Sequence, residues 1–150
     1  MSGKVFHAPF LELHPGFELL GSWERTKKLI QLDFPVVLSY PTLKAILKSE
    51  SDLVIINTPV ATHYEYAKQV LQAGKHAIVE KAFTTTVAEA EELAAIAKAK
   101  GVKLAVFQNR RWDSAVLIWF PYCYLRRYSH YESGVFGRRL DRSRFVLCQL

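Results

Sequence analysis

The sequence predicts an α/β domain built on a doubly wound parallel sheet, on three observations. Leu53–Ile56 is a continuous apolar run, the mark of a strand buried on both faces, and it is followed by an amphipathic helix and a second apolar run, Ala77–Val79. A further helix-length segment ending at Gly101 leads into another apolar stretch, Lys103–Gln108. Each run then stops at polar residues: Asn57-Thr58-Pro59, Glu80-Lys81 and Asn109-Arg110. Strands that alternate with helices belong to βαβ units, and the carboxyl ends of their strands are where ligands sit.

Met1 to His14 reads as a helix, with Pro9 predicting a kink or restart because it removes a backbone donor. Phe17–Gly21 reads as a strand, followed by the mixed-charge stretch Ser22–Lys28. Val36–Leu38, set off by Pro35 and Pro41, reads as a short strand, and Thr42 as the cap of a helix reaching Lys48 with Leu43, Ile46 and Leu47 inward. In the central unit Thr62 and Glu65 have the spacing of a capping box, Ala67, Val70 and Leu71 form the apolar face, and Gly74 supplies the stop. Thr86 and Glu89 repeat the capping box in the next helix. There Val87, Ala90, Ala94 and Ala97, widened by Leu93, read as a small-residue stripe packed on the sheet, while Glu89, Glu91 and Glu92 early and Lys98 and Lys100 late complement the helix dipole.

A chain of 150 residues is long enough for one core, and its apolar and charged fractions are those of a globular protein. No segment is apolar for long enough to cross a bilayer, and Met1-Ser2-Gly3-Lys4 lacks the apolar core of a secretory signal, so the expected location is the cytoplasm. Cys123 and Cys148 are too few for a disulfide framework, and no Cys or His group has metal-ligand spacing; no metal is expected. The net charge of +6 divides unevenly: residues 1–113 hold 14 Lys and Arg against 12 Asp and Glu, residues 114–150 six Arg against Glu132 and Asp141. A basic excess confined to the tail reads as solvated surface, and nucleic acid is not the expected partner.

The motifs also carry a likeness. Asn57-Thr58-Pro59 with His63 after one strand, and Glu80-Lys81 at the end of the next, resemble the nicotinamide-dependent oxidoreductases of the Gfo/Idh/MocA family. The resemblance runs from Met1 to about Asp113 and implies an NAD(P)-binding Rossmann domain. Met1-Ser2-Gly3 match the last half of that family's glycine turn, with Gly3 as the third glycine, the one that lets helix and strand pack. The strand that precedes the turn is not in the sequence, so the expected sheet is incomplete. In the strand order 3-2-1-4-5-6 that strand is central, and its loss leaves a gap between the strands at Phe17 and Leu53. Each unsatisfied backbone group there costs about 1–3 kcal/mol, against a domain stability of roughly 5–15 kcal/mol.

The same resemblance assigns Lys81 as the catalytic charge beside the nicotinamide and the substrate hydroxyl; the family's next residue, a proline, is Ala82 here. Asn57, Thr58 and Pro59 fall along the nicotinamide half of the cofactor. His63 reads either as a pocket contact or as a packing residue, and Glu80 as a cofactor contact, an orienting group for Lys81 or an ordinary ion pair. Asn109 and Arg110 match polar residues that contact cofactor or substrate. At the adenosine end Glu24 argues for NAD and Arg25 with Lys27 for NADP, and the choice stays open.

After Asp113 the composition changes: lysine is absent beyond Lys103, alanine stops at Ala115, and Trp119, Phe120, Tyr122, Tyr124, Tyr128 and Tyr131 crowd together. Family members continue instead into a substrate-binding sheet domain. Residues 114–150 therefore read as an atypical basic and aromatic tail, from a junction or a shifted reading frame, that adds nothing to the fold. The function implied is NAD(P)-dependent oxidation of a sugar, cyclitol or related alcohol, impaired in this chain. The alternative is a non-enzymatic remnant, or an interaction module that self-associates through an exposed sheet edge.

Overall fold

The structure, a computed structural model, describes residues 3–24, 30–109 and 143–149. Six strands form one sheet: β1 (Phe17–Glu24), β2 (Leu38–Ser39), β3 (Leu53–Asn57), β4 (His76–Glu80), β5 (Leu104–Phe107) and β6 (Ser143–Gln149). All neighbours are parallel, in the order β2-β1-β6-β3-β4-β5. The α/β parallel architecture is thus the one predicted.

The middle of the sheet differs from the expectation. The gap between the strands at Phe17 and Leu53 is filled by β6, from the tail to which the sequence reading gives no strand. Gly21 to Glu24 pair with Val146 to Gln149 on one side, and Leu53 to Asn57 pair with Phe145 to Gln149 on the other. The backbone groups that would have been orphaned are therefore in a hydrogen-bonded ladder on both edges. At its amino end β6 is held by Asp52, whose side chain accepts from Arg144 N at 2.9 Å and whose own N donates to the Arg144 carbonyl at 2.9 Å; the Arg144 guanidinium also pairs with Glu50.

Helices cover both faces, which is why β3 reads as an unbroken apolar run. Leu53 and Ile55 face α1 (Ala8–Leu13) and α2 (Ile30–Asp33) through Ala8, Leu11 and Ile30. Val54 and Ile56 face α3 (Leu43–Lys48), α4 (His63–Gln72) and α5 (Val87–Lys100), together with Val79, Val146 and Cys148. Burial in that layer pushes the Cys148 thiol up to about 12.

Pro9 acts as expected: a π-type helical turn over Gly3–His7 gives way to α1, with the proline in its first turn. Thr42 caps α3 by accepting from Ala45 N at 3.2 Å, and Thr86 with Glu89 closes a capping box. Gly101, at φ 67°, ends α5 in the left-handed conformation that glycine adopts without strain. Three readings need correction. β1 runs through Glu24, because pairing with β6 continues past Gly21. Thr62 makes no capping bond: a 3-10 turn over Val60–Thr62 precedes α4, and the hydroxyl donates instead to the Pro59 carbonyl at 2.8 Å. The small-residue stripe on α5 is only partly its buried face: Leu93 and Ala97 are buried and Ala90 half-buried as expected, but Val87 is 74% exposed and Ala94 exposed.

Candidate functional site at the carboxyl edge

Because the strands are parallel, their polar ends share one edge. Glu24 and Asn57 both lie in register with Gln149, at the ends of β1, β3 and β6. Ile56 pairs with Val79, one residue short of Asn57 and Glu80, and Glu80 pairs with Phe107, two residues before Asn109. Chain order reverses across β6, so this edge is also the topological switch point, where open α/β sheets bind ligands.

Lys81 is exposed just past β4, and the Lys81–Ala82 peptide is cis. Thr58 is half-buried and Pro59 exposed on the turn after β3, where Thr62 Oγ1 lies 2.8 Å from Thr58 Oγ1. Glu24 is half-buried and accepts weakly from Ile30 N at 3.4 Å. Gly3 is buried where the first helical turn starts. Asn109 Oδ1 is buried, with no hydrogen-bond donor among the described residues. Arg25 and Arg110 lie outside the described residues.

Three acidic and imidazole groups lie beneath the edge. Glu80 is largely buried and pairs with His7, with His7 Nε2 2.8 Å from Glu80 Oε1 and the imidazole against the Phe107 ring at 4.4 Å between centroids. Burial lowers the His7 pKa, against the opposing pull of the hydrogen bond and charge of Glu80. His63 is fully buried, its ring between the two turns, with Nε2 2.7 Å from the Thr58 carbonyl oxygen and Nδ1 2.7 Å from that of Ala82. Sequence reasoning missed His7. The signal was there: Gly3, His7 and Leu11 are spaced i, i+4, i+8, one helical face, and all three are buried.

Residues 1–108 match the model of an oxidoreductase family with an NAD-binding Rossmann fold, Gfo/Idh/MocA. The chain belongs to that family. An uncharacterized oxidoreductase of Schizosaccharomyces pombe is 44% identical over 123 residues, covering 78% of this chain and 33% of its own. The scyllo-inositol 2-dehydrogenase (NADP(+)) IolW of Bacillus subtilis is 37% identical over 118 residues, with 78% and 33% covered. The crystal structure of an oxidoreductase from Bacillus cereus superposes with a TM-score of 0.73 at 36% identity, covering 78% of this chain and 35% of that one. The chain thus spans about a third of the length of these Gfo/Idh/MocA relatives. The cofactor of the family is a nicotinamide dinucleotide, NAD or NADP. Among the described residues no helix is long and apolar enough to cross a membrane, and no group of three or more His, Cys, Asp or Glu could hold a metal ion.

Proposed function

We propose that the carboxyl edge of this sheet binds NAD or NADP and serves hydride transfer to or from a sugar, cyclitol or related alcohol. The observation that carries the reading is the single row of strand ends, Glu24, Asn57, Glu80-Lys81 and Asn109, at the point where chain order reverses. The nucleotide-binding unit is residues 1–113 together with β6. Glu24 or Arg25 meets the adenosine ribose, Gly3 lets the helix close on the sheet, and Asn57, Thr58 and Pro59 line the nicotinamide half. The buried Asn109 Oδ1 fits such a ligand, since it is an acceptor that a carboxamide N–H or a ribose hydroxyl satisfies. Arg110, the next residue in sequence, is assigned to contact cofactor or substrate by the family resemblance alone. IolW, a relative named for a cyclitol, supports the substrate class.

A bound nicotinamide supplies the carbon that accepts or gives the hydride. Lys81 supplies charge: an ammonium next to the substrate oxygen favours the alkoxide as the hydroxyl proton leaves, and so lowers the barrier to hydride departure from the adjacent carbon. Glu80, tied to His7, fixes the backbone from which Lys81 extends. The buried free thiol of Cys148 suits the reducing cytoplasm, where we place the protein.

Calorimetric titration with NADH and NADPH tests the reading. Saturable binding of one of them is expected, weakened by Asn109→Leu; no saturation by millimolar concentrations of either would overturn it. A second reading, self-association, is favoured by one observation: Val36 and Leu38 at the β2 edge are 84% and 60% exposed. Dimer on size exclusion, reverting to monomer with Leu38→Lys, would support it.

A further inference from the structure

We propose that His63 is a positioning residue that sets Lys81 over the dinucleotide by fastening the turn after β4 to the turn after β3. The inference rests on the function proposed above, and takes His63 from a contact of the cofactor to a part beneath it. The two turns carry the groups in question: Asn57, Thr58 and Pro59 on one, Lys81, Ala82 and Phe83 on the other. His63 begins α4, is wholly enclosed, and points both ring nitrogens at backbone carbonyl oxygens. Nε2 lies 2.7 Å from the Thr58 oxygen; Nδ1 lies 2.7 Å from the Ala82 oxygen and 3.3 Å from that of Phe83.

Carbonyl oxygens only accept, so each contact is a hydrogen bond when the ring nitrogen facing it carries the proton. A neutral ring holds one turn and a doubly protonated ring holds both. The bond from Nδ1 matters for Lys81, because Ala82 is the next residue and no regular secondary structure steadies the segment from Lys81 to Thr86. That segment is pinned at its start by Glu80 on His7, at its end by the Thr86 cap, and between them by His63. A point of attachment adjoining the lysine's own backbone fixes where its side chain starts, and a small misplacement of a catalytic group is enough to cost much of its effect.

Two measurements on the whole chain test this. The first needs no ligand: nitrogen-15 spectra of the imidazole are expected to reveal an Nδ1 proton on His63 that exchanges slowly and couples to the Ala82 carbonyl. A ring whose Nδ1 bears no proton, or one that exchanges as fast as in a free peptide, overturns the proposal. The second compares His63→Asn, whose amide nitrogen stands near Nδ1, with His63→Gln, whose amide nitrogen stands near Nε2, and with His63→Leu. NADPH or NADH affinity, whichever the wild type prefers, is expected to fall tenfold or more in Leu and Gln and to return to within a few-fold in Asn, with the amide signals of Lys81 and Ala82 moving in the same two variants. Equal affinity in folded Asn, Gln and Leu variants overturns it. Should the wild type bind neither dinucleotide, the function proposed above fails, and the Nδ1 signal still decides whether the turns are fastened as described.

Discussion

The unit from β3 through α4 to β4 and the single strand β6 lie side by side in the sheet, and they relate to the sequence in opposite ways. In the first, a short apolar strand, a helix of ordinary length and a second strand follow one another with turn residues between them, so each element is fixed by neighbours in the chain. β6 has the same local signal, an apolar run Phe145–Cys148 bounded by Arg144 and Gln149, but nothing near it in sequence says what it pairs with. Its partners, β1 and β3, are defined by a slot that exists only once the rest of the sheet has assembled. Local pattern identifies a strand; only the whole sheet says which place it takes.

The largest expected effect sets these regions against each other directly. Val146 is fully buried in β6, as Val54 is in β3. Val146→Asp would bury an unpaired carboxylate at a cost of roughly 3–5 kcal/mol, comparable to Val54→Asp and a large share of a total stability of roughly 5–15 kcal/mol. Urea denaturation checks it: if Val146→Asp leaves the midpoint in place while Val54→Asp unfolds the chain, β6 is a peripheral strand.

A smaller effect sharpens the contrast from the legible side. Thr86→Ala removes one half of the capping box of α5, where Thr86 accepts from Glu89 N at 3.3 Å, and is expected to cost about 1 kcal/mol. The same denaturation series measures it, and no change in midpoint would mean that the box is satisfied by water instead.

The smallest effect depends on pH. The folded-state pKa of His7 is lowered by burial, so the unfolded chain binds the proton more readily. Stability from this group is therefore complete above the unfolded histidine pKa of about 6.5 and declines as pH falls below it. His7→Gln is expected to flatten that part of the curve while leaving the separate contribution of His76, whose pKa burial also lowers. Denaturation midpoints between neutral and mildly acidic pH check the sign; a His7→Gln curve as steep as wild type would contradict it.

Much of the fold was legible because it is written in periodicity. Leu53–Ile56 announces burial on both faces, Leu43 and Ile46 a helix face, Thr86 and Glu89 a helix start, and each was found where the pattern put it. Thr62 misled because two hydroxyls and a carbonyl at the preceding turn compete for the bonds a capping box would use. The α5 stripe held at Leu93 and Ala97 and misled at Val87 and Ala94, because alanine is as much at home on an exposed helix face as on a packed one. At the site, polar strand ends were visible as breaks in apolar runs, so Asn57, Glu80 and Lys81 could be named. Whether a histidine lies on the edge or under it could not be read, since that depends on contacts such as His7 to Glu80 across 73 residues.

Amide hydrogen exchange along β6 bears most directly on the claim that the tail completes the sheet and its ligand-binding edge. If β6 is the middle strand, the interior amides of Phe145 to Cys148 are expected to exchange as slowly as those of Val54 to Ile56, in a single cooperative unit with β1 and β3. Fast exchange in β6 beside slow exchange in β3 would contradict it.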